Sequence, residues 1–147
     1  MYHMVQRVDV RVRSEAPPER VYRLVADGST WPSWSPVVRY ERERAGDANG
    51  VGEVRVFHNQ GRKALTREEV VELTPNRRVG YTLLSGLAIR DYRAFIDLTP
   101  DGDGTAIRWH SSFEPKARGT GWLYRLVLQA VISRYAKGLA AHAAVGN

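Results

Sequence analysis

The chain has 147 residues, 43% of them hydrophobic and 26% charged, with a net charge of +6 and no cysteine. This length predicts one domain, residues 1–147, large enough to bury a sizeable core. The composition excludes disulfides and thiolate metal sites. No run approaches the roughly 20 apolar residues of a membrane span. The N-terminal segment lacks the apolar stretch of a signal peptide, so we expect a cytoplasmic protein without membrane insertion.

The positive charge is spread along the chain. Most of the 22 Lys and Arg residues are Arg, and many stand singly in segments such as "DVRVRS" and "RYERER", where several alternate with Glu. This pattern is typical of solvated strand faces. A compact basic run interleaved with aromatic residues is missing, so we expect no nucleic-acid partner.

The first elements are a strand and a helix. Residues 6–13 alternate, with Val8, Val10 and Val12 on one face, which predicts a half-buried strand. Prolines follow in 14–18, and apolar residues then recur at helical spacing until Asp27 and Gly28. The next stretch, "STWPSWSPVV" (29–38), is too short and too rich in proline for more than one helical turn.

Six further strands and a long helix complete the chain. Alternation of apolar and polar residues predicts strands at about 37–45, 52–59, 63–74, 77–85, 88–99 and 104–114, separated by short turn sequences. This spacing favours an antiparallel meander. Residues 119–144 contain no proline and carry one apolar face of Tyr124, Leu128, Val131, Tyr135 and Leu139. We expect this helix to lie across the sheet, where its apolar face can be buried.

Several segments carry a family resemblance. In order they are "APPERVYRLVADGSTWPSWSPVV", "GVGEVRV", "EEVVELTPNRRVGYTLLSG", "DGDGTAIRWHSSFEP" and the final helix. Together they resemble the helix-grip (SRPBCC) superfamily of START domains, birch-pollen-allergen-type proteins and polyketide cyclase/dehydrase-like proteins. The resemblance implies an α+β fold. A curved antiparallel sheet of about seven strands wraps around the long C-terminal helix, and two short helices lie between the first two strands.

The resemblance also implies a cavity between the sheet and the long helix, closed at one end by the short helices. The superfamily binds many apolar ligands in this cavity, and only some of its members are enzymes. Trp31 and Trp34 would lie near the mouth, where a tryptophan combines apolar area with one hydrogen-bond donor. The alternative is that both plug the end of the core.

Alternation along the strands indicates which residues face the interior. It places six polar or amphipathic side chains among the apolar ones: Tyr40, His58, Glu69, Tyr81, Arg90 and Tyr92. Trp109 shares the inner face of the last strand. A plain core does not tolerate so many polar groups without partners, whereas a wet or ligand-filled cavity does. A slip of one residue in register would invert each of these assignments.

The long helix adds two candidates, Tyr135 and Arg134. Helical geometry places Arg134 within the apolar arc, near Val127, Val131 and Gly138. Its guanidinium either reaches solvent at the edge or is offered to a ligand carboxylate or carbonyl, or to Glu69.

Other catalytic signatures are missing. The four histidines are widely separated and no HExxH occurs, so we expect no metal. The sequence also lacks a GxSxG elbow, a P-loop and a GxGxxG turn, so no cofactor is implied.

Three functions remain open. The first is binding of a hydrophobic small molecule, such as a lipid, polyketide or isoprenoid, by Trp34, Tyr40, His58, Glu69, Tyr81, Arg90, Tyr92, Trp109, Arg134 and Tyr135. The second is polyketide cyclisation and dehydration, with Glu69 or His58 as base and Tyr81 or Tyr92 as proton donor. The third is action on a protein or ribosomal partner.

Overall fold

A computed structural model describes residues 5–59 and 65–145 of the chain. The strands are β1 (Gln6–Ser14), β2 (Val37–Arg44), β3 (Val54–Asn59), β4 (Leu65–Thr74), β5 (Arg78–Ser85), β6 (Ile89–Asp101) and β7 (Gly104–Pro115). The helices are α1 (Pro18–Ala26), α2 (Trp31–Trp34) and α3 (Gly121–Val145), with a 3-10 turn at Gly28–Thr30 before α2. The first two residues of the strand expected at 63–74 lie outside the described residues.

The seven strands form one antiparallel sheet in the order β1-β7-β6-β5-β4-β3-β2. The expected helix-grip architecture is therefore confirmed: a curved sheet, a long C-terminal helix and short helices after the first strand. Pro18 stands in the first turn of α1, where a missing N–H costs nothing. After that helix, the Asp27 side chain accepts a hydrogen bond from the Ser29 backbone N–H and caps the 3-10 turn.

The core lies between the sheet and the helices. Trp31 is buried and stacks on Phe57 with ring centroids 4.7 Å apart. Helix α3 contacts β1, β7, α1 and α2. At Gly138 it passes so close to α2 that an added Cβ would lie 2.0 Å from the Trp34 carbonyl oxygen. Helix α3 thus packs most extensively on β1, and a cavity lies between its N-terminal half and the strands β4 and β5.

A bulge in β4 overturns the expectation that Glu69 faces inward. Val70 pairs with Tyr81 and Glu72 with Gly80, so Val71 is an extra residue without a partner in β5. Alternation read back from Leu73 through Val71 is therefore shifted by one residue. Glu69 lies on the outer face instead, where it forms an ion pair with Arg44 at 3.3 Å.

The inward assignment of His58 was also wrong. All residues from Glu53 to Phe57 are buried, so the apolar pattern of β3 does not distinguish its two faces. Phe57 faces the core, which places His58 on the outer face. There His58 Nε2 lies 2.9 Å from the Glu41 carboxylate, to which it donates a hydrogen bond when that nitrogen carries the proton.

A bulge in β6 overturns the expectation that Arg90 faces inward. Arg90 pairs with Glu114 and Arg93 with Ser112, which leaves one extra residue in β6. Asp91 takes up the irregularity with a φ of 54°, in the left-handed region. Ile89 and Tyr92 are consequently both buried, and Arg90 is exposed rather than facing the interior.

Candidate functional site

A cavity of about 390 Å³ lies between the sheet and the N-terminal half of α3, within the range of roughly 300–1,000 Å³ typical of small-molecule sites. Its apolar lining comprises Pro36, Leu83, Leu87, Val127, Leu128, Val131 and Ile132. Its polar lining comprises Asn59, Thr66, Glu68, Tyr81, Tyr92, Arg134 and Tyr135. The cavity therefore combines an apolar body with a few polar groups.

Four of the residues expected from the sequence line this cavity: Tyr81, Tyr92, Arg134 and Tyr135. The strand residues Tyr81 and Tyr92 occupy inner positions of β5 and β6, and Tyr135 lies one turn beyond Val131 on α3. The Tyr135 hydroxyl donates a hydrogen bond to Asn59 Oδ1 at 3.5 Å. Arg134 makes no hydrogen bond or ion pair within residues 5–59 and 65–145, and its side chain is exposed at the edge of the cavity.

The sequence interpretation missed the polar lining residues Asn59 and Thr66 and, most importantly, Glu68. Glu68 occupies the inner face of β4 opposite Leu83, in the place that alternation had given to its neighbour Glu69. The buried valine two residues later, Val70, was the available signal, since counting back from it selects Glu68.

The carboxyl group of Glu68 has no hydrogen-bond or ion-pair partner among the described residues. Its cross-strand neighbour Arg55 is engaged elsewhere, donating to Glu53 Oε1 at 2.6 Å and to the last carbonyls of α1. Burial raises the pKa of Glu68 to about 8, opposed only by the charge of Arg55. Near neutral pH this carboxyl is therefore largely protonated and can donate a hydrogen bond into the cavity.

The carboxylate of Glu53, in contrast, has several hydrogen-bond donors around it. It accepts hydrogen bonds from the Tyr40 hydroxyl at 2.6 Å, from Arg42 at 2.8 Å and from Arg55 at 2.6 Å. Burial acts to raise the pKa of Glu53, but these donors outweigh it and the pKa is lowered. Tyr40, an expected ligand contact, thus belongs to this structural network and does not line the cavity.

The cavity tyrosines are held as hydroxyl donors. Burial raises the pKa of Tyr92 to about 12, with a further contribution from Glu68. The pKa of Tyr81 is raised well above its ordinary value, first by burial and then by Tyr92 and Glu68. The Tyr81 hydroxyl also accepts a hydrogen bond from Trp109 Nε1 at 3.1 Å. Trp109 therefore holds the Tyr81 hydroxyl through this hydrogen bond, and Trp109 itself does not line the cavity.

In the stretch "STWPSWSPVV" the two tryptophans cover the core, and Pro36 lines the cavity. Trp34 is buried, and its Nε1 donates to Thr30 Oγ1 at 3.1 Å. Its ring centroid lies 4.7 Å from that of Trp31 and 6.4 Å from that of Tyr135. Trp34 thus contacts the aromatic cluster behind the cavity and does not line the cavity itself.

Among the described side chains, no group of three or more His, Asp or Glu residues is placed to hold a metal ion. None of the helices within residues 5–59 and 65–145 combines the length and hydropathy of a membrane span.

The model of one protein family, described as polyketide cyclase/dehydrase and lipid transport, matches residues 5–145. The chain belongs to this family. Membership confirms the resemblance seen in the sequence and supports a ligand-binding or cyclase role in general terms. Among curated proteins, none gives a significant match.

Several solved structures share the fold of the chain. A protein from Thermobifida fusca is 25% identical, with a TM-score of 0.79 over 93% of this chain and 92% of that one. A START superfamily protein from Mycobacterium smegmatis is 18% identical, with a TM-score of 0.79 over 93% and 96%. The ZhuI aromatase/cyclase of a Streptomyces species is 19% identical, with a TM-score of 0.76 over 95% and 94%.

Proposed function

We propose that the protein binds a hydrophobic small molecule, such as a lipid, polyketide or isoprenoid, in the cavity between the sheet and α3. The observation that carries this proposal is the Glu68 carboxyl, which lines the cavity without a hydrogen-bond or ion-pair partner among the described residues. A buried carboxyl group without a partner is costly in a plain core. A ligand carbonyl or hydroxyl oxygen would supply the missing hydrogen-bond acceptor.

The polar groups give the proposed site a direction. Glu68, Tyr81 and Tyr92 come from three adjacent strands and line the cavity with oxygens that carry a proton near neutral pH. Arg134 stands at the edge, and its guanidinium has no ion-pair partner among the described residues. A ligand with an oxygen function at its buried end and an acidic or polar group at its outer end fits this arrangement.

Equilibrium binding of an uncharged apolar fluorophore, N-phenylnaphthylamine, and its displacement by fatty and polyketide-like molecules test the proposal. Glu68→Met roughly preserves size but removes the hydrogen-bond donor, whereas Glu69→Met makes the same change on the outer face. We expect Glu68→Met to lower the affinity for oxygenated competitors by about 5- to 100-fold, the range for a lost buried polar contact. Equal affinities in the two variants, or no binding of any apolar molecule, would refute the proposal.

A second candidate function is catalysis of aldol-type cyclisation and dehydration of a linear polyketide. One observation favours it: a carboxyl with a pKa of about 8 beside the tyrosine hydroxyls of Tyr81 and Tyr92. An acid/base group is most effective when its pKa lies near the working pH. Glu68 replaces the earlier candidates Glu69 and His58, both of which lie on the outer face.

Turnover of linear poly-β-ketones separates the two functions. In a cyclase, Glu68→Gln should lower the rate by about 10²-fold or more, the usual effect of losing an acid/base group. Tyr92→Phe tests the proton donor in the same assay, and Glu69→Gln serves as the control. Tight binding of the fluorophore without conversion of any candidate substrate would leave the binding function alone.

A further inference from the structure

The N-terminal half of α3 carries an exposed apolar face, which we call the α3 stripe. It consists of Trp122, Leu123, Leu126 and Val127, which are 57%, 49%, 53% and 50% exposed. The other tryptophans of the chain, Trp31, Trp34 and Trp109, are all buried. Four large apolar side chains on two consecutive helical turns form a contiguous patch, which in a monomer commonly marks an interaction surface.

The surroundings of the α3 stripe are basic. Residues 115–147 contain five Lys or Arg residues and no Asp or Glu. Three of the five, Lys116, Arg118 and Arg125, are exposed and stand next to the stripe in the sequence. None of them forms an ion pair with a residue of the described ranges. Several arginines of the sheet are paired instead, as Arg67 is with Glu43 at 2.6 Å.

We propose that the α3 stripe and its basic rim dock on the surface of an anionic lipid bilayer. A tryptophan with neighbouring leucines is suited to the boundary between headgroups and acyl chains, because the ring combines apolar area with one N–H. Lysine and arginine at the rim attract anionic headgroups, each strengthening binding about fivefold near the surface. This shallow docking does not require a helix that spans the bilayer.

The charge argues against the other occupants. A second copy of this chain would bring Arg118 and Arg125 against identical residues across a two-fold interface, where like charges repel. The exposed parts of the four stripe residues also amount to only on the order of 400 Å², against about 800 Å² per partner in a stable complex. Nucleic acid suits the rim, but Leu123, Leu126 and Val127 offer no ring on which bases can stack.

The α3 stripe adjoins the proposed ligand site. Val127 belongs to the stripe and also lines the cavity. Docking would therefore hold the edge of the cavity at the membrane surface, where apolar molecules are concentrated. This inference goes beyond ligand binding, since it rests on the outer face of α3 and would stand if the cavity were found empty of any ligand.

Co-sedimentation of the full chain with phospholipid vesicles tests the proposal. We expect binding to vesicles of mixed phosphatidylcholine and phosphatidylserine, a decrease with added salt, and weak binding to phosphatidylcholine alone. Leu126→Glu should lower partitioning by at least about tenfold, whereas the matched change Val38→Glu, at a 62% exposed site on β2, should not. Arg118→Glu with Arg125→Glu should act like Leu126→Glu, and Arg77→Glu with Arg93→Glu serves as its control.

Fluorescence gives a readout that needs no variant. Trp122 is the exposed tryptophan of the four, so brominated lipids in anionic vesicles should quench its emission and leave the buried rings unaffected. Failure to bind anionic vesicles would overturn the proposal, as would binding that is indifferent to Leu126→Glu in a normally folded variant. A dimer that Leu126→Glu dissociates, or RNA binding without vesicle binding, would assign the surface to another partner. Glu68→Gln should leave vesicle binding unchanged, so the two proposals fail separately.

Discussion

Two carboxyl groups, that of Glu53 just before β3 and that of Glu68 on β4, illustrate how environment gives chemically identical residues different properties. Glu53 is surrounded by Tyr40, Arg42 and Arg55 and keeps a lowered pKa. Glu68 faces the cavity without a partner in residues 5–59 and 65–145, and burial raises its pKa to about 8. Residues of one type whose pKa values are driven apart in this way commonly have different roles. Here Glu53 serves structure, and Glu68 is the candidate for function.

The raised pKa of Glu68 predicts a pH dependence of stability. The folded state retains this proton up to about pH 8, while the unfolded chain releases it near the ordinary pKa of 4.5. The contribution is thus fully present below pH 4.5 and is lost as the pH rises to 8. Glu68→Gln should unfold like the wild type near pH 5 and be more stable at pH 9, by up to about 4 kcal/mol.

Urea unfolding of both proteins across this pH range measures the effect. Glu69→Gln is the control, because its carboxylate is part-exposed and paired with Arg44 on the outer face. If wild type and Glu68→Gln keep a constant difference in unfolding free energy from pH 5 to pH 9, the carboxyl is not perturbed as described.

At the scale of elements, bulges decided which residues could be predicted from the sequence. Strands with unbroken alternation were assigned correctly, as for Tyr81 in β5 and Trp109 in β7. Glu69 and Arg90 were misassigned because an extra residue in β4 and another in β6 reverse the faces on one side of each bulge. A bulge forms where pairing with a neighbouring strand requires it, and that information is not local in the sequence.

The order and type of the elements were predictable, because turn sequences and periodicity are local signals. The long helix was expected at 119–144 and is observed at Gly121–Val145. Its outer apolar face was not anticipated: periodicity identified the buried face of Leu128 and Leu139, but Leu123 and Leu126 are exposed on the opposite side. A helix that is apolar on two faces gives a weak periodic signal.

The junction between α1 and β3 depends on Arg55, which is 4% exposed. It joins Glu53 to the last carbonyls of α1. Arg55→Met should lower the unfolding free energy by about 3 kcal/mol, because it removes one member of a buried ion pair. Arg44→Met, at an exposed pair, should cost less than about 1 kcal/mol. Urea denaturation compares the two variants, and similar losses would contradict a structural role for the buried pair.

The close contact between α3 and α2 at Gly138 predicts a second effect on stability. A Cβ at Gly138 would lie 2.0 Å from the Trp34 carbonyl oxygen, so backbone would have to move. Gly138→Ala should therefore destabilise the protein by about 1–3 kcal/mol, although alanine favours a helix by about 1 kcal/mol over glycine. Thermal unfolding checks this, with the exposed neighbour Lys137→Ala as control. A gain in stability for Gly138→Ala would show that the contact between α3 and α2 can accommodate a methyl group, and would contradict this prediction.

At the scale of the whole molecule, the sheet and α3 diverge from a close contact at β1 to a cavity at β4 and β5. The helix contacts β1 and β7, and at Gly138 it lies close to Trp34 of α2. The cavity lies beside the part of the helix that precedes this contact. Its polar groups come from separate strands and from α3, which explains why no short motif revealed the site.

The central claim is that an apolar ligand occupies this cavity in contact with Glu68. The most direct measurement is an NMR titration with N-phenylnaphthylamine, following intermolecular nuclear Overhauser effects to assigned side chains. We predict contacts to Tyr81, Tyr92 and Val131, a changed carboxyl resonance for Glu68, and none for Glu69 or His58. Contacts confined to Trp122 and Leu126 on the outside of α3, or an unchanged Glu68 resonance at saturation, would contradict the claim.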